Sequence, residues 1–176
     1  MVVGLVYLQS SNFGKDRIPE GDAICNSIKG FSVVLFHSPT KCRYSPYALQ
    51  EFKKAAGRIN GVMFASIDID RNMDTVRLSR NTITPIDGVP YIMLYYNGTP
   101  RQIYPEDYPF TSDAIQNFVA SVSSGILKSM RAAEENRTKK NTAKRTPPIK
   151  HNTINYLRST RRNNFTYINA HSQKPR

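Results

Sequence analysis

Cysteine is scarce in this chain: Cys25 and Cys42 are the two among 176 residues. Two thiols exclude a disulfide-framed scaffold, and they offer no zinc-ligand spacing. Phosphate loops, catalytic triads and paired-carboxylate patterns are also missing, so neither metal nor cofactor is expected. Long apolar runs are absent as well. Nothing approaches the roughly 20 residues needed to cross a bilayer, so no membrane span is expected. Residues 1–8 are apolar but too short, and lack the basic flank, for a secretion signal. The sequons at Asn97, Asn136 and Asn164 then read as chance matches in an intracellular chain. Acidic residues nearly vanish towards the end. Residues 131–176 hold 12 Lys+Arg against Glu134 and Glu135, a net of +10. Residues 1–130 hold 13 Lys+Arg against 11 Asp+Glu, a net of +2. The expectation is a near-neutral folded domain over 1–130 and a basic extended arm over 131–176.

Apolar patterning is present in short alternating blocks. Residues 2–8 read as a first strand, and residues 9–21 as a loop rich in turn formers. Ala23, Ile24 and Ile28 suggest a short helix over 22–29. Residues 31–36 form a β-branched, nearly continuous apolar run, which predicts a buried strand. Leu49, Phe52, Ala56 and Ile59 recur at helical spacing and predict a helix stopped by Gly61. A strand over 62–69, a short helix over 72–79 and a strand over 91–96 follow. Asn97-Gly98 predicts a tight hairpin with a return strand over 101–104. From Ile115 to Met130 apolar residues recur with period 3.6 behind a capping Thr111 or Ser112, which predicts a long helix. Arg131, Glu135 and Lys139 at i,i+4 spacing can extend it. This alternation predicts an α/β fold with a central mixed sheet and helices on both faces.

The order and its motifs resemble the thioredoxin-like superfamily over roughly residues 1–130. Ile67-Asp68-Ile69-Asp70-Arg71-Asn72 is similar to the family's VDVDxN. The run Gly88-Val89-Pro90-Tyr91-Ile92-Met93-Leu94-Tyr95-Tyr96-Asn97-Gly98 resembles GIPTLLLFKNG, which implies a cis bond before Pro90. Phe36-His37-Ser38-Pro39 and Glu51-Phe52-Lys53-Lys54-Ala55-Ala56 resemble the FYAP and EFKKAA that flank the CxxC of protein disulfide isomerases. One extra residue lies between these anchors. Counting back from the helix places Cys42 on the first cysteine and Ser45 on the second, giving a CxxS site like that of monothiol glutaredoxins.

Two readings of that site follow. In the enzymatic one, Cys42 is the nucleophile, Arg43 a stabilising cation, His37 a base, and Pro90 shapes the client edge. In the other, Cys42 is degenerate. The family's buried acid falls on Leu35, its tryptophan on Lys41 and its glycine on Arg43. Ser45-Pro46 is also a favoured N-cap and N1 pair, so the helix would begin beyond Cys42. The degenerate reading is carried forward. Cys25 reads as an inert core thiol. Asp68 and Asp70 read as strand-end and helix-capping residues.

Function then falls to the arm. Arg145, Lys150, Arg158, Arg161 and Arg162 supply charge, and two short apolar clusters interrupt it. One holds Ile154, Tyr156 and Leu157; the other holds Phe165, Tyr167 and Ile168. Nucleic acid would meet such an arm through phosphates and stacked aromatics. Alternating apolar and polar residues fit better as anchors on neighbouring protein subunits. The pattern Asn97-Gly98-x-Pro100, Tyr104 and Ile115-x-x-Phe118 resembles thioredoxin-like proteins of large DNA viruses. The expectation is a structural protein, a minor component of a viral capsid shell. Monothiol exchange and a ribosome-associated ribonucleoprotein role are the alternatives.

Overall fold

A computed structural model describes residues 4–145, with side chains described through residue 140. The elements run β1 (Val6–Tyr7), a 3-10 turn, β2 (Phe13–Ile18), β3 (Gly21–Asn26), β4 (Phe31–His37), α1 (Ser45–Ala56), β5 (Val62–Asp68), α2 (Met73–Ser79), β6 (Tyr91–Tyr96), β7 (Thr99–Ile103) and α3 (Ser112–Arg145). Five strands form one mixed sheet in the order β1-β5-β4-β6-β7. β4 lies at its centre, parallel to β5 and antiparallel to β6. A strand paired on both edges and covered on both faces needs apolar residues at successive positions. Val33, Val34, Leu35 and Phe36 meet that need, and all four are fully buried.

Alternation along β4 divides the core. Val33 and Leu35 face one side, where Phe64, Ile92 and Leu94 of the sheet meet Phe52 and Ala55 of α1 and Ile115, Phe118 and Val119 of α3. Val34 and Phe36 face the other, with Ala65, Ile67, Met93 and Tyr95. Phe13 and Ile24 close over that second side, and Leu78 of α2 packs against it.

Here the sequence reading is corrected. Residues 22–29 are not a helix. Gly21–Asn26 is β3, paired antiparallel to Phe13–Ile18 in a separate two-stranded sheet. Lys15 and Arg17 of β2 both bridge to Asp22 of β3, at 3.1 Å each. Hairpin pairing across Pro19 and Glu20 overrides a weak helical pattern of three apolar residues. Cys25 accordingly sits on this strand, though buried as expected.

Other boundaries shift by smaller amounts. α1 starts at Ser45 with Tyr44 as its N-cap, so Pro46 occupies the second helical position and Ser45 caps nothing. It ends at Ala56, short of Ile59, with Gly57 as its C-cap. The return strand β7 starts at Thr99, earlier than its apolar residues suggest, directly behind Asn97 (φ 50°) and Gly98 (φ 77°). α3 continues to Arg145. Its buried side ends with Val122 and Ile126, while residues 131–140 are exposed throughout. Ala132, Ala133, Glu134, Glu135, Lys139 and Lys140 sustain that stretch by intrinsic propensity. By compactness the chain divides into Met1–Ser129 and Met130–Arg176.

The candidate thiol site

The β4–α1 connection carries Cys42, and a carboxylate from beyond β5 holds that connection in shape. Asp70 accepts hydrogen bonds from the Ser38 hydroxyl at 2.7 Å, the Thr40 hydroxyl at 2.6 Å and the Thr40 N–H at 3.0 Å. The Lys41 N–H in turn donates to Ser38 Oγ at 3.1 Å. These bonds draw the Asp70 carboxyl down to about 2: Thr40 and Ser38 contribute most, and partial burial opposes them. Asp70 is therefore a turn organiser and not a cap of α2, whose N-cap is Asn72. The signal for this was the Ser38 and Thr40 hydroxyl pair preceding Cys42, which the sequence reading did not use.

The linkage sign follows from the depressed value. A carboxylate with a lower pKa folded than unfolded stabilises the fold fully above its unfolded value and loses that contribution as pH falls through the folded one. Asp70→Asn should therefore flatten the decline in stability between pH 3.8 and about 2, read from denaturant midpoints across that range.

Cys42 is partly exposed, and its Sγ donates to the Val89 carbonyl at 3.2 Å. The Val89–Pro90 bond is cis, as the motif implied. Ser45 is fully buried, and its Oγ accepts the Ser38 N–H at 3.0 Å. Its hydroxyl hydrogen then remains available to the sulfur. Burial is the largest single influence on the Cys42 thiol and pushes its pKa up. The Ser45 hydroxyl, the Tyr44 and Ser45 N–H groups and the Arg43 charge together outweigh it, leaving the thiol below its ordinary 9.0. The Ser45 and backbone donors favour the charged form of the sulfur. Arg43 is exposed and lies over the Tyr44 ring at 4.7 Å.

Three of the four residues expected at this site thus converge: Cys42, Ser45 and the cis Pro90 loop, with Arg43 beside them as a screened surface charge. His37 is placed differently. It is 5% exposed at the end of β4, and its Nδ1 has no hydrogen-bond partner among the described residues. Burial lowers its pKa, against the pull of Asp68 and Asp70, so it is neutral at pH 7. No hydrogen bond among the described residues joins it to Cys42. Leu35, at the position of the family's buried acid, packs in the apolar cluster with Val33 and Phe52. Among the described residues, neither a second sulfur nor a buried carboxylate accompanies the Cys42 thiol, and His37 makes no hydrogen bond to it.

The described residues include no group of three or more His, Cys, Asp or Glu placed to hold a metal ion. They also include no helix long and apolar enough to cross a membrane. Arg145 is the last residue of α3. Lys150, Ile154, Tyr156, Leu157, Arg158, Arg161, Arg162, Phe165, Tyr167 and Ile168 lie outside the described residues.

This architecture is the thioredoxin-like fold. A point mutant of thioredoxin from Halobacterium salinarum NRC-1 superposes with a TM-score of 0.50 at 16% identity, over 69% of this chain and 93% of that one. Human ERp44 gives a TM-score of 0.50 at 21% identity, over 69% of this chain and 30% of that one. No protein-family model matches the chain. Uncharacterized protein 196R of Invertebrate iridescent virus 6 is 34% identical over 93 residues, covering 53% of this chain. The chain spans about half of that relative's length, 52%.

Proposed function

We propose that this chain is a non-catalytic, thioredoxin-fold subunit of a large assembly, anchored there by its basic arm. The assembly proposed is the capsid shell of a large DNA virus. The observation that carries the reading is the charge asymmetry: residues 131–176 are net +10 on a front of net +2. Such a segment needs a binding surface or solvent, and its paired apolar clusters favour a protein surface. Similarity to a protein of an iridescent virus supports the viral setting. The test is proteomic. Density-purified, nuclease-treated virus particles should retain the chain in fixed ratio to the shell protein. Release of the chain by nuclease would instead favour a nucleic-acid role, and its absence from particles would refute the assembly reading.

A second reading is supported by the lowered pKa and placement of Cys42. The Cys42 thiolate attacks a partner disulfide, forms a Cys42–partner disulfide, and releases the partner's other sulfur as thiolate. Under this reading, iodoacetamide labelling of Cys42 reaches half-maximal rate below pH 9.0. Cys25 is raised by burial and by Asp16, so it should label at least roughly tenfold more slowly in the folded protein. Labelling of Cys42 no faster than an ordinary exposed thiol at neutral pH would count against the second reading.

A further inference from the structure

A groove of about 350 Å³ opens at the β7 end of the five-stranded sheet, between β7, the β2–β3 turn and the α2–β6 connection. Met93 lies at its base, and Ile18, Ile83 and Ile103 stand around it. Ile83 is 47% exposed and Ile103 36%, so folding leaves two large apolar side chains in water at one place. The walls are tied to each other. The Ile83 N–H donates to the Asp22 carbonyl at 2.8 Å, and the Ile24 N–H to Thr84 Oγ1 at 3.2 Å. An added Cβ at Gly21 would fall 2.8 Å from Ile83 Cγ2, a measure of how closely the turn and the connection meet.

Two charges of opposite sign line this groove, Glu20 from the turn and Arg101 from β7. Both are exposed, and neither side chain has a partner among the described residues. Their neighbours on the hairpin differ, since Lys15 and Arg17 both bridge to Asp22. Arg101 owes its direction to a bulge. Pro100 pairs with Tyr95 and Gln102 with Leu94, so Arg101 is the extra residue on β7. A bulge re-aims a side chain, and together with a proline it blunts a strand edge against pairing with another strand. The groove is thus shaped to take side chains and not an added strand.

We infer that this groove is a two-fold interface with a second copy of this chain. One acid and one base about an apolar centre make the patch self-complementary, which is what a two-fold contact requires. The axis sets Glu20 of each copy against Arg101 of the other and closes the isoleucines over one another. A partner surface of uniform charge would instead meet one like charge here. The inference uses neither the arm nor Cys42, so it stands or falls separately from both functional readings.

Sedimentation equilibrium of the full, nuclease-treated chain over a concentration series should show a monomer–dimer equilibrium. Glu20→Arg alone and Arg101→Glu alone should each weaken the dimer by roughly tenfold or more, because like charges then face each other twice. An equimolar mixture of the two variants should regain the strength of the unaltered dimer, since each supplies the charge the other lacks. Ile83→Asp should weaken association as the single charge reversals do. Asp74→Arg changes the net charge as Glu20→Arg does, outside the groove, and should leave association unchanged. Thermal melts of each variant exclude unfolding as the cause, and rescue in the mixture does so independently. A monomer at every concentration, a dimer indifferent to the groove substitutions, equal weakening by Asp74→Arg, or a mixture without rescue would overturn the inference.

Discussion

If the proposed capsid role holds, removing residues 141–176 will abolish incorporation into virus particles while leaving the folded domain intact. The truncation removes eight Lys or Arg and no Asp or Glu, lowering the formal charge from +12 to +4. It leaves the core untouched, since the apolar clusters draw on residues between Leu5 and Ile126. Cys42→Ala, by contrast, should incorporate at the level of the unaltered chain. The measurement is quantitative mass spectrometry of purified particles after co-expression of each form. A truncated chain present at normal copy number would refute anchoring by the arm, and loss of the Cys42→Ala form would transfer the function to the thiol. Circular dichroism melts should coincide for the full and truncated chains within a few degrees.

Gly98→Ala should cost far more stability than its single added methyl suggests. Gly98 has φ +77°, and an added Cβ would fall 2.1 Å from the Asn26 carbonyl oxygen. That neighbour is backbone, so no rotamer change relieves it. The Asn26 N–H also donates to the Gly98 carbonyl at 2.9 Å, tying the β2–β3 pair to the β6–β7 turn. Strain at a non-glycine residue in such a conformation costs about 1–3 kcal/mol. Losing the hydrogen bond adds about 1 kcal/mol. A fall in melting temperature on the order of 10 °C is expected at this chain length. Gly14→Ala provides the contrast, because nothing lies within 4 Å of its added Cβ and its φ is not positive. It should shift the melt little. Equal, small shifts for the two variants would show that the Asn26–Gly98 contact does not constrain the fold.

The same contact explains what the sequence could and could not reveal. Asn97-Gly98 announced the β6–β7 hairpin because a turn with two positive φ values selects those residue types locally. The run from Val33 to Phe36 announced a central strand because every one of its side chains must be buried. No comparable local rule marked β2. Its exposed Gly14, Lys15, Asp16 and Arg17 resemble a loop until β3 is paired beside them. Pro19 and Glu20, which join the two strands, lack the Asn-Gly type of turn signature, so the hairpin became visible only with Asp22 bridged to both Lys15 and Arg17. The candidate site divides similarly. Cys42, Ser45 and Pro90 were legible because motif anchors flank them. Asp70 was not, because its partners Ser38 and Thr40 lie some 30 residues earlier in the chain.

The oxygen at Ser45 has a consequence measured in time. With a sulfur in that position, any covalent adduct at Cys42 would be short-lived, because the neighbouring thiol would displace it within the same molecule. With a hydroxyl held by the Ser38 N–H, the adduct's lifetime passes to the surroundings. In a compartment rich in small thiols the bond is cleared from outside. Once carried somewhere poor in them, the same bond persists. If the second reading holds, an adduct at Cys42 would thus have no internal route of release.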